Sequence, residues 1–245
     1  MVDRTLAALG LAQVPREDPL LYPGTWPRGS GLLDGDRLLP LDRLVHDDRT
    51  PVLTVGCNAC PGQLRHKLDT FGITTPVPMV RTHVAGVDIG VSAHVSRAGY
   101  VSAAPFRTLT GTRALFVLWL DAEQLTAIDT TEGATLPQGN FARVWLPAPA
   151  VRVTLPDGHV LPGAYCYTNR HGVLRDGTRT PRRHPGQRPL LTALLRHSPR
   201  LRDLLGATPE EFCARARSDA TLRARAARLF AEEDLITTSG LEQYA

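Results

Sequence analysis

The segment Ala114-Leu115-Phe116-Val117-Leu118-Trp119-Leu120 is apolar at seven consecutive positions. A strand points successive side chains to opposite faces, so a run of this kind has to be covered on both sides. It is far too short to cross a bilayer as a helix, and no apolar run in the sequence reaches the roughly 18 residues that would be needed. The chain must therefore place this strand inside a sheet with other elements packed above and below. With 245 residues, 42% of them hydrophobic, it has enough chain to do so without disulfide or metal staples.

The neighbouring pattern is also strand-rich. Pro51-Val52-Leu53-Thr54-Val55 is a short apolar run ended by Gly56, which predicts a strand and a turn. Pro61 suits a first helical position, and Leu64 and Leu68 follow at helical spacing. Residues 77–104 alternate like strands, with a turn expected at Gly86-Val87-Asp88. Asp121 followed by Gln124 has the form of a capping box, so a short helix carrying Leu125 and Ile128 inward should follow the apolar run. Further strands are expected at 142–146, 151–154, 159–161 and 164–168, two of them joined by the turn Pro156-Asp157-Gly158. Residues 169–186 read as loop. From Gln187 the spacing is helical, and Thr208-Pro209-Glu210-Glu211 marks a helix start. Strands at 51–168 and helices at 187–231 give an α+β fold, a barrel or curved sheet with a helical annex. Residues 1–50, rich in Pro and Gly at 15–40, are expected to form an extended arm. Residues 51–186 would form the barrel and 187–245 a helical extension of the same domain.

Charge adds less than its sign suggests. There are 28 Lys and Arg against 24 Asp and Glu, and Lys67 is the single lysine. Nine arginines and one acid fall in residues 170–202, a block that could steer an acidic substrate. No RNA-reading motif, zinc finger or aromatic-studded basic strand accompanies it, so nucleic acid is not the expected partner. The N-terminus lacks a basic patch followed by an apolar core, and a cytoplasmic protein, monomeric or homodimeric, is expected. Of the four cysteines, Cys57 and Cys60 form a C-x-x-C. This spacing fits a redox pair or half a metal site, but no short-range ligands follow; His66 has no regular partner, and Cys166 and Cys213 are distant. Two small buried thiols are the simpler expectation.

Two segments could carry chemistry. Val55-Gly56-Cys57-Asn58 ends a strand before a helix, where a glycine admits a ligand and helix N–H groups favour an anion. Ile128-Asp129-Thr130-Thr131-Glu132-Gly133 puts a carboxylate at a sharp turn among apolar neighbours. Partial withdrawal from water makes such a group a better proton acceptor near neutral pH.

In order, Val55-Gly56-Cys57-Asn58, Asp129-x-x-Glu132-Gly133, Phe141-x-Arg143-Val144 and Tyr165-x-x-Thr168-Asn169 resemble the motifs of the γ-glutamyl cyclotransferase-like family over about residues 51–170. The family carries Y-G-S-N at the first of these and its catalytic Glu at the second; here Val55 stands for the Tyr and Cys57 for the Ser. The resemblance implies a small mixed β-barrel with flanking helices. It implies a small γ-glutamyl or amino-acid-like substrate with Val55, Gly56, Cys57, Asn58 and Tyr165 around it. The loop backbone would hold its α-carboxylate. Glu132 would serve as general acid and base in releasing an amine with formation of 5-oxoproline, with neither metal nor organic cofactor. Cys57 is the residue to suspect if the chemistry differs. His83 and His94 lie in a stretch longer than the family needs, and the two terminal extensions have no counterpart in it. The alternative is a barrel that binds a small acid or a protein partner without turnover.

Overall fold

In the computed structural model, which describes residues 3–245, the arm contributes β1 (Gly31–Asp34) and β2 (Arg37–Leu39). Then come β3 (Thr50–Thr54), α1 (Pro61–Asp69), the long hairpin β4 (Val77–Val95) and β5 (Val101–Leu120), and α2 (Ala122–Glu132). Next are β6 (Phe141–Pro147), β7 (Arg152–Thr154), β8 (Gly163–Asn169) and β9 (Val173–Leu174). Four helices close the chain, α3 (Gln187–His197), α4 (Pro199–Leu205), α5 (Pro209–Ser218) and α6 (Ala220–Glu232), followed by β10 (Ile236–Thr237).

The apolar run lies in β5, where Leu115–Leu120 are covered on both faces, as their composition requires, and Ala114 is exposed. Phe116, Leu118 and Leu120 point into a core with Leu64 and Leu68 of α1 and Ile128 of α2. Leu115, Val117 and Trp119 point the other way, into a core with Leu146, Val153 and Leu161. Each such side chain removed from water contributes about 1.5–3 kcal/mol. A third core joins α3–α6 to the far end of the hairpin, through Val91, Val95 and Val101.

Ten strands form one sheet in the order β10-β9-β4-β5-β3-β8-β6, with β1 and β7 on β4 and β2 on β1. Only β3 and β8 are parallel among the pairs. The path ends at β10 and β6, and among the described residues no pairing joins those ends, so the expected barrel is instead an open sheet. The hairpin is the cause. Its strands run 19 and 20 residues, several times the usual length. Successive stretches of β4 therefore take different partners: Met79 pairs with β1, Val84 with β7 and Ser92 with β9.

The turn expected at 86–88 is a bulge within β4. The register with β5 shifts between Ala85 and Val87. Gly86 has φ 95°, and a β-carbon there would lie 2.3 Å from the Ala150 carbonyl oxygen; glycine is needed for both reasons. The chain reverses at 96–100, where Ser96 N–H donates to Tyr100 O at 2.8 Å. The strand expected at 159–161 is reduced to a bridge between Thr154 and Val160. Helix α5 starts as expected, with Thr208 capping Glu211 N–H. No helix among the described residues is long and apolar enough to cross a membrane.

The arm runs along α1. Gly62 N–H donates to Leu11 O at 3.0 Å, Arg16 N–H to Gln63 Oε1 at 2.7 Å, and a β-carbon on Gly62 would meet the Ala12 carbonyl carbon at 2.6 Å.

Candidate active site

Helix α2 delivers the candidate carboxylate. Its start is fixed by the Asp121–Gln124 capping box, and its end by Gly133 in the left-handed region at φ 69°. Glu132 is thus the last helical residue, where the sequence suggested a loop. One turn earlier, Asp129 accepts from Arg143 Nε at 2.9 Å and from Tyr167 Oη at 2.8 Å. These contacts tie the end of α2 to β6 and β8. Charge-assisted bonds of this kind are the stronger class.

Glu132 then closes a triangle with the loop after β3. Its Oε1 accepts from Asn58 Nδ2 at 3.0 Å and from Lys67 Nζ at 2.5 Å. Lys67 Nζ also donates to Asn58 Oδ1 at 2.7 Å. Lys67, from the last turn of α1, is 3% exposed, and the Glu132 side chain is 14% exposed. The ammonium offsets the carboxylate charge in a place where water does little of that work. Both donors use Oε1, which leaves Oε2 free of hydrogen bonds within the described protein.

Glu132, Asn58 and Lys67 lie in the wall of one cavity of about 810 Å³, with Val55, Gly56, Cys57, Arg16, Tyr22, His94 and Tyr100 also in the wall. Five of the residues singled out in the sequence, Val55, Gly56, Cys57, Asn58 and Glu132, are therefore brought together. Tyr165 is not: it lies outside this wall, its ring 5.1 Å from that of Trp145 and 4.6 Å from the Arg143 guanidinium carbon. Tyr167, two residues on, lines the cavity instead. His83 is exposed on β4.

The loop and the helix behind it differ from the open anion cradle the sequence suggested. Ala59 N–H donates to Gly56 O and Cys60 N–H to Cys57 O, while the arm takes Gly62 N–H. The room made by Gly56 is occupied by the Tyr22 hydroxyl, which a β-carbon there would approach to 2.6 Å. That hydroxyl accepts from Ala103 N–H at 2.8 Å, and the Tyr22 ring stacks on Tyr100 at 4.2 Å. Burial holds both phenols well above their usual pKa, so they stay protonated.

The four cysteines are buried and unpaired. Burial pushes the Cys57 thiol up, against an opposing pull from Lys67, and raises Cys60 to about 11. Burial thus keeps Cys57, the residue to suspect for a different chemistry, in its less nucleophilic thiol form. Among the described residues no three His, Cys, Asp or Glu are grouped to hold a metal.

His94 is 3% exposed and its pKa is depressed to about 3 by burial and by His171. Its Nδ1 meets Ser92 Oγ at 2.5 Å, and Ser92 Oγ accepts from Asn169 Nδ2 at 2.8 Å. The hydroxyl proton then points to Nδ1 and leaves the imidazole proton on Nε2, which has no partner.

Lys67, Tyr22, Tyr100 and Arg16 were not expected at the site from the sequence. One signal for Lys67 was present: in a chain that otherwise uses only arginine as its cation, a single lysine stands in a helix facing the apolar side. A compact ammonium fits between two buried oxygens where a planar guanidinium does not.

No protein-family model matches the sequence, and no curated protein matches it. Two solved structures are similar to the chain. One is named gamma-glutamyl cyclotransferase, with a TM-score of 0.38 and 13% identity over 49% of this chain and 66% of that one. The other is the solution structure of an Arabidopsis thaliana protein, with a TM-score of 0.38 and 14% identity over 61% and 85% of the respective chains. The chain spans just under two thirds of the length of the cyclotransferase it matches, and the likeness is a distant one of fold.

Proposed function

We propose that the chain is a γ-glutamyl cyclotransferase-like enzyme that releases an amine from a γ-glutamyl-type amide and forms 5-oxoproline. The observation that carries the reading is Glu132, held through Oε1 by Asn58 and Lys67, with Oε2 unpaired beside a cavity. The ordered motifs that resemble the family agree with it.

In the proposed reaction Glu132 takes a proton from the substrate's α-ammonium. The freed amine attacks the γ-carbonyl carbon, Glu132 hands its proton to the leaving nitrogen as the bond from that nitrogen to carbon breaks, and the ring nitrogen gives up its second proton, which the released amine takes up as an ammonium. The nucleophile belongs to the substrate, so folding it into a near-attack shape supplies much of the rate. Lys67 keeps the carboxylate oriented and compensated through both transfers. Incubation with a panel of γ-glutamyl amines and γ-glutamyl amino acids tests the proposal. 5-Oxoproline and free amine are expected from at least one of them, and Glu132→Gln should abolish the product. No product from any, or a Glu132→Gln variant equal to wild type, would sink it.

The second reading, a fold that binds a small acid or a protein partner without turnover, is favoured by the Tyr22 hydroxyl lying against Gly56. In that case the same panel gives binding and no product.

A further inference from the structure

We infer that Arg16, on the N-terminal arm, receives the carboxylate of the amino-acid-like ligand in this cavity. The identity of the ligand rests on the proposed cyclisation; the anion site rests on geometry. Part of what the loop and the helix behind it could offer a carboxylate is already engaged within the protein. Ala59, Cys60 and Gly62 N–H groups bond to carbonyls, and the Tyr22 hydroxyl covers Gly56. Lys67 is occupied by Glu132 and Asn58.

Arg16, Arg97 and Arg217 are the cations of the wall without a carboxylate among the described residues, and Arg16 is the one withdrawn from solvent. It lies in the cavity wall, half-buried, and its charge acts on the buried Cys57 thiol and Tyr100 hydroxyl. Among the described residues no carboxylate forms a salt bridge with it. Its neighbours in the wall leave it unmatched: Glu17 faces His66 at 3.6 Å, and Arg97 is exposed and adds positive charge. Arg217 donates to the carbonyl oxygens of Arg16 and Glu17. With Arg16 N–H held by Gln63 at 2.7 Å, that contact fixes the backbone from which the guanidinium projects. A planar guanidinium meets a carboxylate through two parallel bonds, so a pre-placed one selects a carboxylate over a neutral group of the same shape.

The test compares 5-oxoproline with 2-pyrrolidinone, the same ring without the carboxylate, on wild type, Arg16→Gln and Arg16→Lys. Calorimetry or NMR titration gives the two affinities. Wild type is expected to prefer 5-oxoproline by about tenfold or more, the range of a hydrogen bond to a charged group. Arg16→Gln should bring that preference down to about threefold or less while leaving 2-pyrrolidinone binding as it was, and Arg16→Lys should fall between. Thermal unfolding of each variant confirms that it is folded. A wild type with no preference for the carboxylate, or a preference that survives Arg16→Gln, overturns the inference. The two proposals fail separately. Arg16-dependent binding with no turnover of any γ-glutamyl amide keeps the anion site and removes the cyclisation. Turnover whose KM is unchanged by Arg16→Gln does the reverse.

Discussion

Replacing Lys67 by Met removes the ammonium while keeping the apolar stem, and it tests whether Lys67, Asn58 and Glu132 act as one unit. Breaking a buried ion pair from one side costs about 3–5 kcal/mol, because the remaining charge is left uncompensated. Lys67 is almost wholly buried, whereas the Glu132 side chain keeps 14% of its surface; water there places the expected loss near the lower bound, about 3 kcal/mol. Glu132→Gln should cost a similar amount, since the amide oxygen can still accept from the buried ammonium but carries no charge to compensate it. In the double variant neither charge remains, so its loss should stay near about 4 kcal/mol, well short of the two singles added together. The assay is urea unfolding of wild type, both singles and the double, with equal slopes required before free energies are compared. Coupling of about 2 kcal/mol is expected. Additivity within about 0.5 kcal/mol would refute the reasoning, because the two side chains would then not share a desolvated contact.

Acid should weaken the fold through two imidazoles withdrawn from water, the buried His94 and the half-buried His184. Burial depresses His94 to about 3 and His184 to about 4, so the unfolded chain binds these protons more readily than the folded one. Their contribution is complete above the unfolded value near 6.5 and is lost as pH falls through that value toward 3–4, about 3 kcal/mol each by pH 4.5. Urea midpoints at pH 7.5 and 4.5 check this, and a His94→Gln variant with undiminished acid sensitivity would count against His94. Tyr167→Phe removes the hydroxyl bond to Asp129. A loss of about 1.5–3 kcal/mol is expected, with kcat falling more than KM because Glu132 follows three residues later on the same helix; unchanged stability would count against that anchoring role. Cys57, with its thiol pushed up by burial, should react with iodoacetamide at pH 8 at least about tenfold more slowly than a free cysteine. Equal rates, followed by mass spectrometry of the modified peptide, would contradict that.

What the sequence made legible was local. The run at 114–120 demanded two covered faces and has them from Leu115 onward, and the Asp121–Gln124 box starts α2 where its spacing indicates. Gly56 and Glu132 were found as the two ends of a site, and the structure joins them through Asn58. What stayed hidden depends on contacts between distant residues. Lys67 meets Glu132 across 65 positions and Tyr22 meets Ala103 across 81; no local periodicity encodes either. Gly86 read as a turn because a glycine between apolar stretches has the same signature in a turn and in a bulge, and only the nearby Ala150 carbonyl decides between them. Strand spacing left a barrel or a curved sheet open and the family resemblance implied the barrel, but closure depends on which edges of a very long hairpin are already paired. At Gly56 the sequence suggested room for a ligand, and the group that takes this room is the Tyr22 hydroxyl.

The central claim is that Glu132 activates the substrate's own amine and not a water molecule. Turnover of a γ-glutamyl amide in water enriched in oxygen-18, with products resolved by mass spectrometry, tests this directly. The account predicts 5-oxoproline carrying no heavy oxygen, released together with the free amine. Glutamate carrying one heavy oxygen as the initial product would contradict it.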